Sequence, residues 1–274
     1  MLKTHHDQAA GLRRIMAAPA PRIVSIVSAA STHDKSRLMT NLAASIASQD
    51  NKTLVIYASK ESSESFYGIN NLSTLVETAN KPSAFAKSIH HSQYGFSIAK
   101  LMQKSQLDLT LTQAMSNKLN LMIDELTQEY DMLLVDASLN KDDVLPLSKL
   151  NEGEILIQLT RNAESITDAY ALIKKIYSQL GRRDFGIIVD DATEQQAQKV
   201  YQNIQSVAKR YMQIDLEFFG AIPYDDHLNK ATQLGRSVIE AFPLATASTA
   251  FKNMAKKFAY KQTSINNFKQ VALV

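Results

Sequence analysis

Short apolar segments alternate with amphipathic segments along most of the chain, and this alternation constrains the fold more than any other feature. The strand-like segments are rich in β-branched residues and almost continuously apolar, as in RIVSIVS, TLVIYA, MLLVD, EILIQL and FGIIV. The segments between them repeat apolar residues at helical spacing. Strands without a polar face are typical of a parallel sheet that helices cover on both sides. The sequence therefore predicts an α/β fold with a single doubly wound, mostly parallel sheet and helices on both faces.

The apolar segments place seven strands at residues 22–28, 53–58, 94–99, 132–136, 154–159, 185–189 and 216–219, with a helix over 35–47 after the first. Three further helices are predicted from apolar stripes that we assign to the core: Leu111, Met115, Leu119, Met122 and Leu126; Ile166, Tyr170, Ile173, Tyr177 and Leu180; and Val200, Ile204, Val207 and Tyr211. In an open α/β sheet a ligand is expected at the carboxyl ends of the strands.

Three segments differ in composition. Residues 1–21 are predicted to form a short helix, with Asp7 as its N-cap, followed by a stiff linker that contains Pro19 and Pro21. Residues 22–260 are predicted to form the α/β domain. The tail, residues 261–274, places Phe268 and Val271 on one side but has a small apolar face, so it gives little support to membrane binding.

Composition excludes several classes of site and of location. The 274 residues include no cysteine, which removes disulfides, thiolate metal sites and a cysteine nucleophile and favours a cytoplasmic location. No signal peptide or membrane-spanning run is recognisable. A net charge of +3 is too small to indicate a nucleic-acid partner.

The loop after the first predicted strand contains no glycine, since Gly11 and Gly68 are consecutive among the 8 glycines of the chain. A phosphate-binding loop needs inward N–H groups, which glycines permit, together with a lysine and a Ser/Thr hydroxyl for Mg²⁺. Lys35 and Ser36 supply the last two, but Asp34 places a carboxylate where a phosphate would approach. The pair also fits the solvated first turn of a helix.

Other strand ends carry fewer candidate groups. Asp136 ends a strand, where it could hold Mg²⁺ through water or equally cap a helix. Asp225 and Asp226 precede a predicted helix, and we interpret them as capping residues. The adjacent pairs His5-His6 and His90-His91 lack metal-ligand spacing, and we interpret them as surface residues.

From about Asp7 to Phe258 the sequence resembles the MinD/ParA-type ATPases, and among them the flagellar-number regulators of the FlhG (FleN, YlxH) type. The elements that carry the resemblance are DQAAGLRR, the Walker B-like YDMLLVDAS, SITDAYALIK and EFFGAIPYDD. The first and third are specific, because a generic MinD or ParA protein is not expected to carry both. The resemblance implies a P-loop NTPase fold of the SIMIBI type.

The family's nucleotide site is altered at several positions. Its KGGxGKT loop matches residues 30–36, where Lys35 and Ser36 are retained; Asp136 and Pro223 are also retained. Its cross-subunit lysine corresponds to Ala30, and its adenine-contacting Asn to Asp190. The other altered positions are loop residues Ser31, Thr32 and Asp34 and, at the strand-two carboxylates, Tyr57 and Ser59.

These substitutions meet at one pocket, and each lowers nucleotide affinity or rate. The resemblance therefore implies a pseudo-ATPase that needs no cofactor and acts through protein contacts. An active ATPase is the alternative, with Mg–ATP, an ATP-dependent homodimer, and Ser36 and Asp136 near the Mg²⁺. A ParA-like DNA-associated protein is a second alternative, which only the small positive net charge supports.

The resemblance also implies partners. In the family the DQAxxLR helix activates the signal-recognition-type GTPase FlhF, and other flagellar assembly proteins are contacted at the cell pole or inner membrane. The matching residues here are Asp7, Gln8, Gly11, Leu12 and Arg13. The other interpretation is that residues 1–20 pack on their own domain.

Overall fold

A computed structural model describes residues 22–59, 69, 71–106 and 111–271, without the side chains of 82–83 and 259–271. Within these residues lies an eight-stranded sheet of order β3-β4-β2-β5-β1-β6-β7-β8. Neighbouring strands are parallel except for β3 and β4, which are antiparallel. The strands are β1 (Arg22–Ser28), β2 (Thr53–Ala58), β3 (Ile89–His91), β4 (Ser97–Lys100), β5 (Met132–Ala137), β6 (Glu154–Leu159), β7 (Phe185–Val189) and β8 (Leu216–Ala221).

Helices connect most of these strands, as the sequence predicted. The α-helices of the described chain are α1 (Thr32–Ala47), α2 (Leu75–Thr78), α3 (Gln113–Glu129), α4 (Ala163–Leu180), α5 (Glu194–Met212), α6 (Asp226–Gln233), α7 (Val238–Ala241) and α8 (Thr246–Val271). Short 3-10 turns lie at Pro82–Ser88, Lys104–Gln106 and Ser148–Glu152.

The sheet separates two apolar cores. Helices α3, α4 and α5 cover one face, where Ile123, Ile173 and Ile204 are buried against the strands. Helices α1, α6, α7 and α8 cover the other, with Leu42 and Phe251 in its core. The predicted α/β class and the mostly parallel sheet with helices on both faces are therefore confirmed.

The edge beyond β2 differs from the prediction. The strand predicted at residues 94–99 begins at Ser97, because Gly95 has a φ of +83° and turns the chain between β3 and β4. Strand β3 was not predicted, since its three residues carry no apolar run. His91 is exposed there, and its Nδ1 lies 3.0 Å from Ser97 Oγ.

The stripe predicted for α5 is partly wrong. Val200 and Ile204 are buried, but Val207 is 39% exposed and Tyr211 is 67% exposed. Ala208 and Met212, one residue further along, point into the core instead. Leu111 lies before α3 rather than within it. Helical spacing of apolar residues is approximate, so a residue one position away from the buried face fits the pattern as well as a buried residue does. The pattern alone therefore did not distinguish Val207 and Tyr211 from core residues.

The predicted N-terminal helix and linker, with Asp7, Gln8, Gly11, Leu12 and Arg13, lie outside the described residues. Helix α8 begins before and ends after residue 260, at which the sequence analysis placed a domain boundary. No helix in the described ranges combines the length and apolarity needed to span a membrane.

Candidate functional site

The connection between β1 and α1 consists of only Ala29, Ala30 and Ser31. Ser31 is the N-cap of α1, and its hydroxyl accepts the Asp34 N–H at 3.2 Å. Helix α1 therefore begins at Thr32, three residues earlier than predicted, because a Ser N-cap with an acidic residue in the first turn is a strong start signal. The segment that matches the family's phosphate loop is largely the first turn of a helix.

Two backbone N–H groups of this connection already donate hydrogen bonds within the protein. The Ala29 N–H donates to the Gln158 carbonyl at 2.8 Å, and the Ala30 N–H donates to Ser28 Oγ at 3.0 Å. None of residues 29–34 has a positive φ. A cradle for phosphate requires successive N–H groups turned toward the ligand. The connection instead directs these two N–H groups to β6 and to the end of β1.

Lys35 and Asp136 form a buried ion pair. Their exposures are 3% and 1%, and Lys35 Nζ contacts Asp136 Oδ1. The amine also donates to the Ala137 carbonyl at 2.9 Å. Asp136 is thus the internal counter-ion of the lysine in this structure, a role that the sequence analysis did not predict.

Arg37, two residues after Lys35, joins two carboxylates. Its guanidinium lies 2.9 Å from Asp34 Oδ1 and 3.6 Å from Asp190 Oδ1. Asp34 also accepts a hydrogen bond from Ser31 Oγ at 2.7 Å. Asp34, which the sequence placed in the path of a phosphate, is paired with Arg37 on its own helix. Arg37 supplies a cation to the pocket from within the chain.

Asp190 anchors a polar chain that crosses the sheet. Its Oδ2 accepts from Gln158 Nε2 at 3.0 Å, its Oδ1 accepts the Asp191 N–H at 2.9 Å, and Gln158 Oε1 accepts from Ser28 Oγ at 3.0 Å. Burial raises the pKa of Asp190 to about 6, partly offset by the charge of Arg37 and reinforced by that of Asp34. A buried acid with this pKa titrates close to neutral pH.

Ser165 ties the β6 end to the same connection, since its hydroxyl donates to the Ala29 carbonyl at 2.8 Å and accepts the Thr160 N–H at 2.8 Å. Sequence reasoning missed Arg37, Gln158 and Ser165 as pocket residues. Arg37 carried a signal, because it follows Asp34 at i+3 on a helix. Gln158 and Ser165 carried none, since their contacts depend on the order of the strands.

The other predicted site residues lie at strand ends or at the starts of helices. Tyr57 and Ser59 are each 2% exposed at the end of β2, so they stand as buried groups where the family has carboxylates. Ser36 is half-buried one residue after Lys35. Asp225 is the N-cap of α6, and its side chain accepts the His227 N–H at 2.9 Å. Pro223 lines a groove beside β8.

Similar sequences fall within one group of proteins. The chain is 34% identical over 134 residues to the antiactivator FleN of Pseudomonas aeruginosa, a match that covers 48% of this chain and 48% of that protein. It is 20% identical over 259 residues to a MinD relative from Emiliania huxleyi, covering 91% of this chain and 92% of the relative. No protein-family model matches the chain.

Solved structures give the same fold. MinD of Aquifex aeolicus superposes with a TM-score of 0.64 at 19% identity, covering 87% of this chain and 96% of that one. A ParA-family ATPase of Chlorobium tepidum gives 0.65 at 18% identity, covering 86% and 99%. The chain has the MinD/ParA-type P-loop ATPase fold, and the resemblance drawn from its motifs is confirmed.

Proposed function

We propose that this chain, with its MinD/ParA-type fold and its similarity to FleN, is an FlhG-type regulator of flagellar number, placement and assembly. In this proposal it works through protein contacts, and ATP binding and hydrolysis are impaired. The observation that carries the impairment is the β1–α1 connection, in which a helix turn and internal hydrogen bonds replace the glycine loop. The flagellar role is supported by the similarity to FleN.

The residues present do not fit a nucleoside triphosphate with its magnesium ion. The Ala29 and Ala30 N–H groups are engaged by Gln158 and Ser28. The Lys35 amine is held by Asp136 and the Ala137 carbonyl. A triphosphate would have to break these contacts and then face the Asp34 carboxylate. Each broken contact lowers the affinity, and the loss is largest for Lys35 and Asp136, because both groups of this pair are buried.

Calorimetry with Mg–ATP tests the impaired site. We expect the natural chain to bind more weakly than about 1 mM, since the phosphate donors and the lysine are already engaged. A variant that restores the family loop, with Ala30→Lys, Ser31→Gly, Thr32→Gly and Asp34→Gly, is expected to bind more tightly, because it removes the helix cap and the opposing carboxylate. Micromolar binding by the natural chain, with ATP-dependent dimerisation, would favour the active ATPase instead.

The proposed partner is a signal-recognition-type GTPase, contacted by the DQAAGLRR segment. Deletion of residues 1–20 is expected to abolish stimulation of GTP hydrolysis by a flagellar GTPase of this class, measured as phosphate release. Within the segment, Arg13→Ala is expected to weaken stimulation, because Arg13 matches the family's LR pair.

Arg14→Ala is the matched control for this experiment, since it removes the same charge from the neighbouring position and should leave stimulation near that of the natural chain. Equal stimulation with and without residues 1–20 would contradict the assignment of the segment. It would favour a segment that packs on its own domain.

A further inference from the structure

The N-terminal segment, residues 1–21, joins the described domain beside the end of α3. Strand β1 begins at Arg22, and the Arg22 N–H donates to the Asp131 carbonyl at 3.1 Å. Asp131 lies two residues after Glu129, the last residue of α3. The chain from Met16 to Arg22 spans at most about 20 Å. The part of the segment that ends at Met16 can therefore reach the outer surface of α3.

One exposed face of α3 combines a leucine with two carboxylates. Leu121, Glu125 and Glu129 follow one another four positions apart, so they share one side of the helix over about 12 Å. Leu121 is 63% exposed, and both glutamates are exposed. The carboxyl end of a helix disfavours negative charge, and the last turn of α3 contains no basic residue that would offset it.

Lysine side chains near this face pair with other acids. Lys149 pairs with Asp124 at 2.9 Å and with Glu152 at 2.8 Å. Among the residues that the structure describes, neither Glu125 nor Glu129 takes part in an ion pair. This face of α3 therefore fits a ligand that carries positive charge and an apolar side chain.

The N-terminal segment itself has the matching chemistry. It contains three basic residues and one acid. In its predicted helix, residues 7–16, Leu12 and Met16 are four positions apart, and Arg13 and Arg14 lie between them. Because the segment belongs to the same chain, its effective concentration at α3 is high, and surface contacts that are individually weak can hold it there.

We propose that residues 7–16 bind along this face of α3 and thereby cover the DQAAGLRR segment. The apolar pair of the segment packs on Leu121, and its two arginines pair with Glu125 and Glu129. A segment bound in this way is not available to a partner, so the contact is autoinhibitory. This regulatory role rests on the proposed function, whereas the contact itself does not.

Two spin labels test the contact in the full chain, because the chain has no native cysteine. Ala10→Cys labels the segment, and Gln128→Cys labels an exposed position at the end of α3. We expect pulsed electron paramagnetic resonance to give a short and narrow component in the distribution of distances between the labels. Replacing both glutamates, with Glu125→Lys and Glu129→Lys, is expected to remove this component.

A charge exchange and a matched control identify the groups in contact. Adding Arg13→Glu and Arg14→Glu to the variant with two lysines on α3 should restore the short component, because the opposite charges face each other again. Glu164→Lys with Asp168→Lys makes the same change at the same spacing on α4, where both residues are exposed. This control should leave the distances unchanged, and circular dichroism checks the folding of every variant.

Three results would overturn the contact. The first is a natural chain without the short component, and the second is a short component that the variant with two lysines on α3 retains. The third is a short component that disappears when labelled chain is mixed with an excess of unlabelled chain, which would assign this face of α3 to a second copy.

Release of the segment predicts a gain of function. If the segment is covered in most molecules, the variant with two lysines on α3 should stimulate the flagellar GTPase at an up to about tenfold lower concentration than the natural chain does. Equal stimulation would overturn the autoinhibitory role, and weaker stimulation would assign this face of α3 to the GTPase. With the expected distances, a lack of stimulation by both chains would contradict the proposed function and support the contact alone.

Discussion

Replacing Lys35 by methionine is expected to lower the free energy of unfolding by about 3–5 kcal/mol, the usual cost of leaving one member of a buried ion pair without its partner. Asp136 is 1% exposed and Lys35 Nζ is its ion-pair partner, so the methionine variant must bury a carboxylate next to an apolar side chain. Methionine keeps most of the apolar length of the lysine stem and leaves little cavity. Urea unfolding at neutral pH measures the effect.

The double variant Lys35→Met with Asp136→Asn separates charge from packing. Because the carboxamide carries no charge, this variant should recover much of the stability that the single variant loses. Lys209→Met is the control, since Lys209 pairs with Asp215 at 3.1 Å on the surface, where an ion pair contributes little. An unchanged urea midpoint for the Lys35→Met variant would contradict a structural ion pair and favour a lysine that is available to a ligand.

The sheet could be predicted because the apolar composition of its strands reflects their burial. Strands such as β2 and β5 are buried at every position, and a continuous apolar run is the signature of that environment. Strand β3 sits at the edge beside β4 alone and has no such run, so its sequence gave no signal. Tyr211 shows the opposite failure, since an apolar side chain on a helix does not have to be buried.

The sequence names residues of the candidate site but does not predict the contacts that these residues make. Lys35 and Asp136 were assigned to one pocket, yet their direct pairing depends on the register that sets β1 beside β5. Gln158 reaches Asp190 because β6 and β7 are neighbours, which no local pattern encodes. The resemblance to a nucleotide-binding family predicts which ligand contacts are lost, but it does not predict the internal contacts that replace them.

Replacing Asp190 by asparagine is expected to stabilise the protein at pH 7.5 more than at pH 4.5, by a difference of about 2 kcal/mol. Burial raises the pKa of Asp190 from 3.8 to about 6 in the folded protein. The folded state therefore binds the proton more tightly than the unfolded state does. As the pH rises from about 4 to above 6, the buried group must ionise, and the natural chain loses stability that the asparagine variant keeps.

The charges that face Asp190 define the controls for this measurement. Arg37 and Asp34 lie on α1, Asp191 follows Asp190 in the chain, and His33 lies 3.8 Å from Asp34. At each pH, the stability of the natural chain is subtracted from that of the variant, which removes the contributions that both proteins share. Asp50→Asn is the matched control, because it makes the same substitution at an exposed position with a φ of +60°.

Asparagine is also the residue that the MinD/ParA resemblance places at position 190, so the same variant tests whether the carboxylate has a structural role. Gln158 can keep its contacts by turning its side-chain amide, because Ser28 can both donate and accept. Arg37 lies 3.6 Å from Asp190 and could instead hold it ionised. In that case the asparagine variant would lose an ion pair, and its stability relative to the natural chain would be lower at pH 7.5 than at pH 4.5. The stability of the variant relative to the natural chain therefore distinguishes two cases by the sign of its change with pH. In one, burial disfavours the charged form of Asp190; in the other, the guanidinium of Arg37 keeps Asp190 ionised.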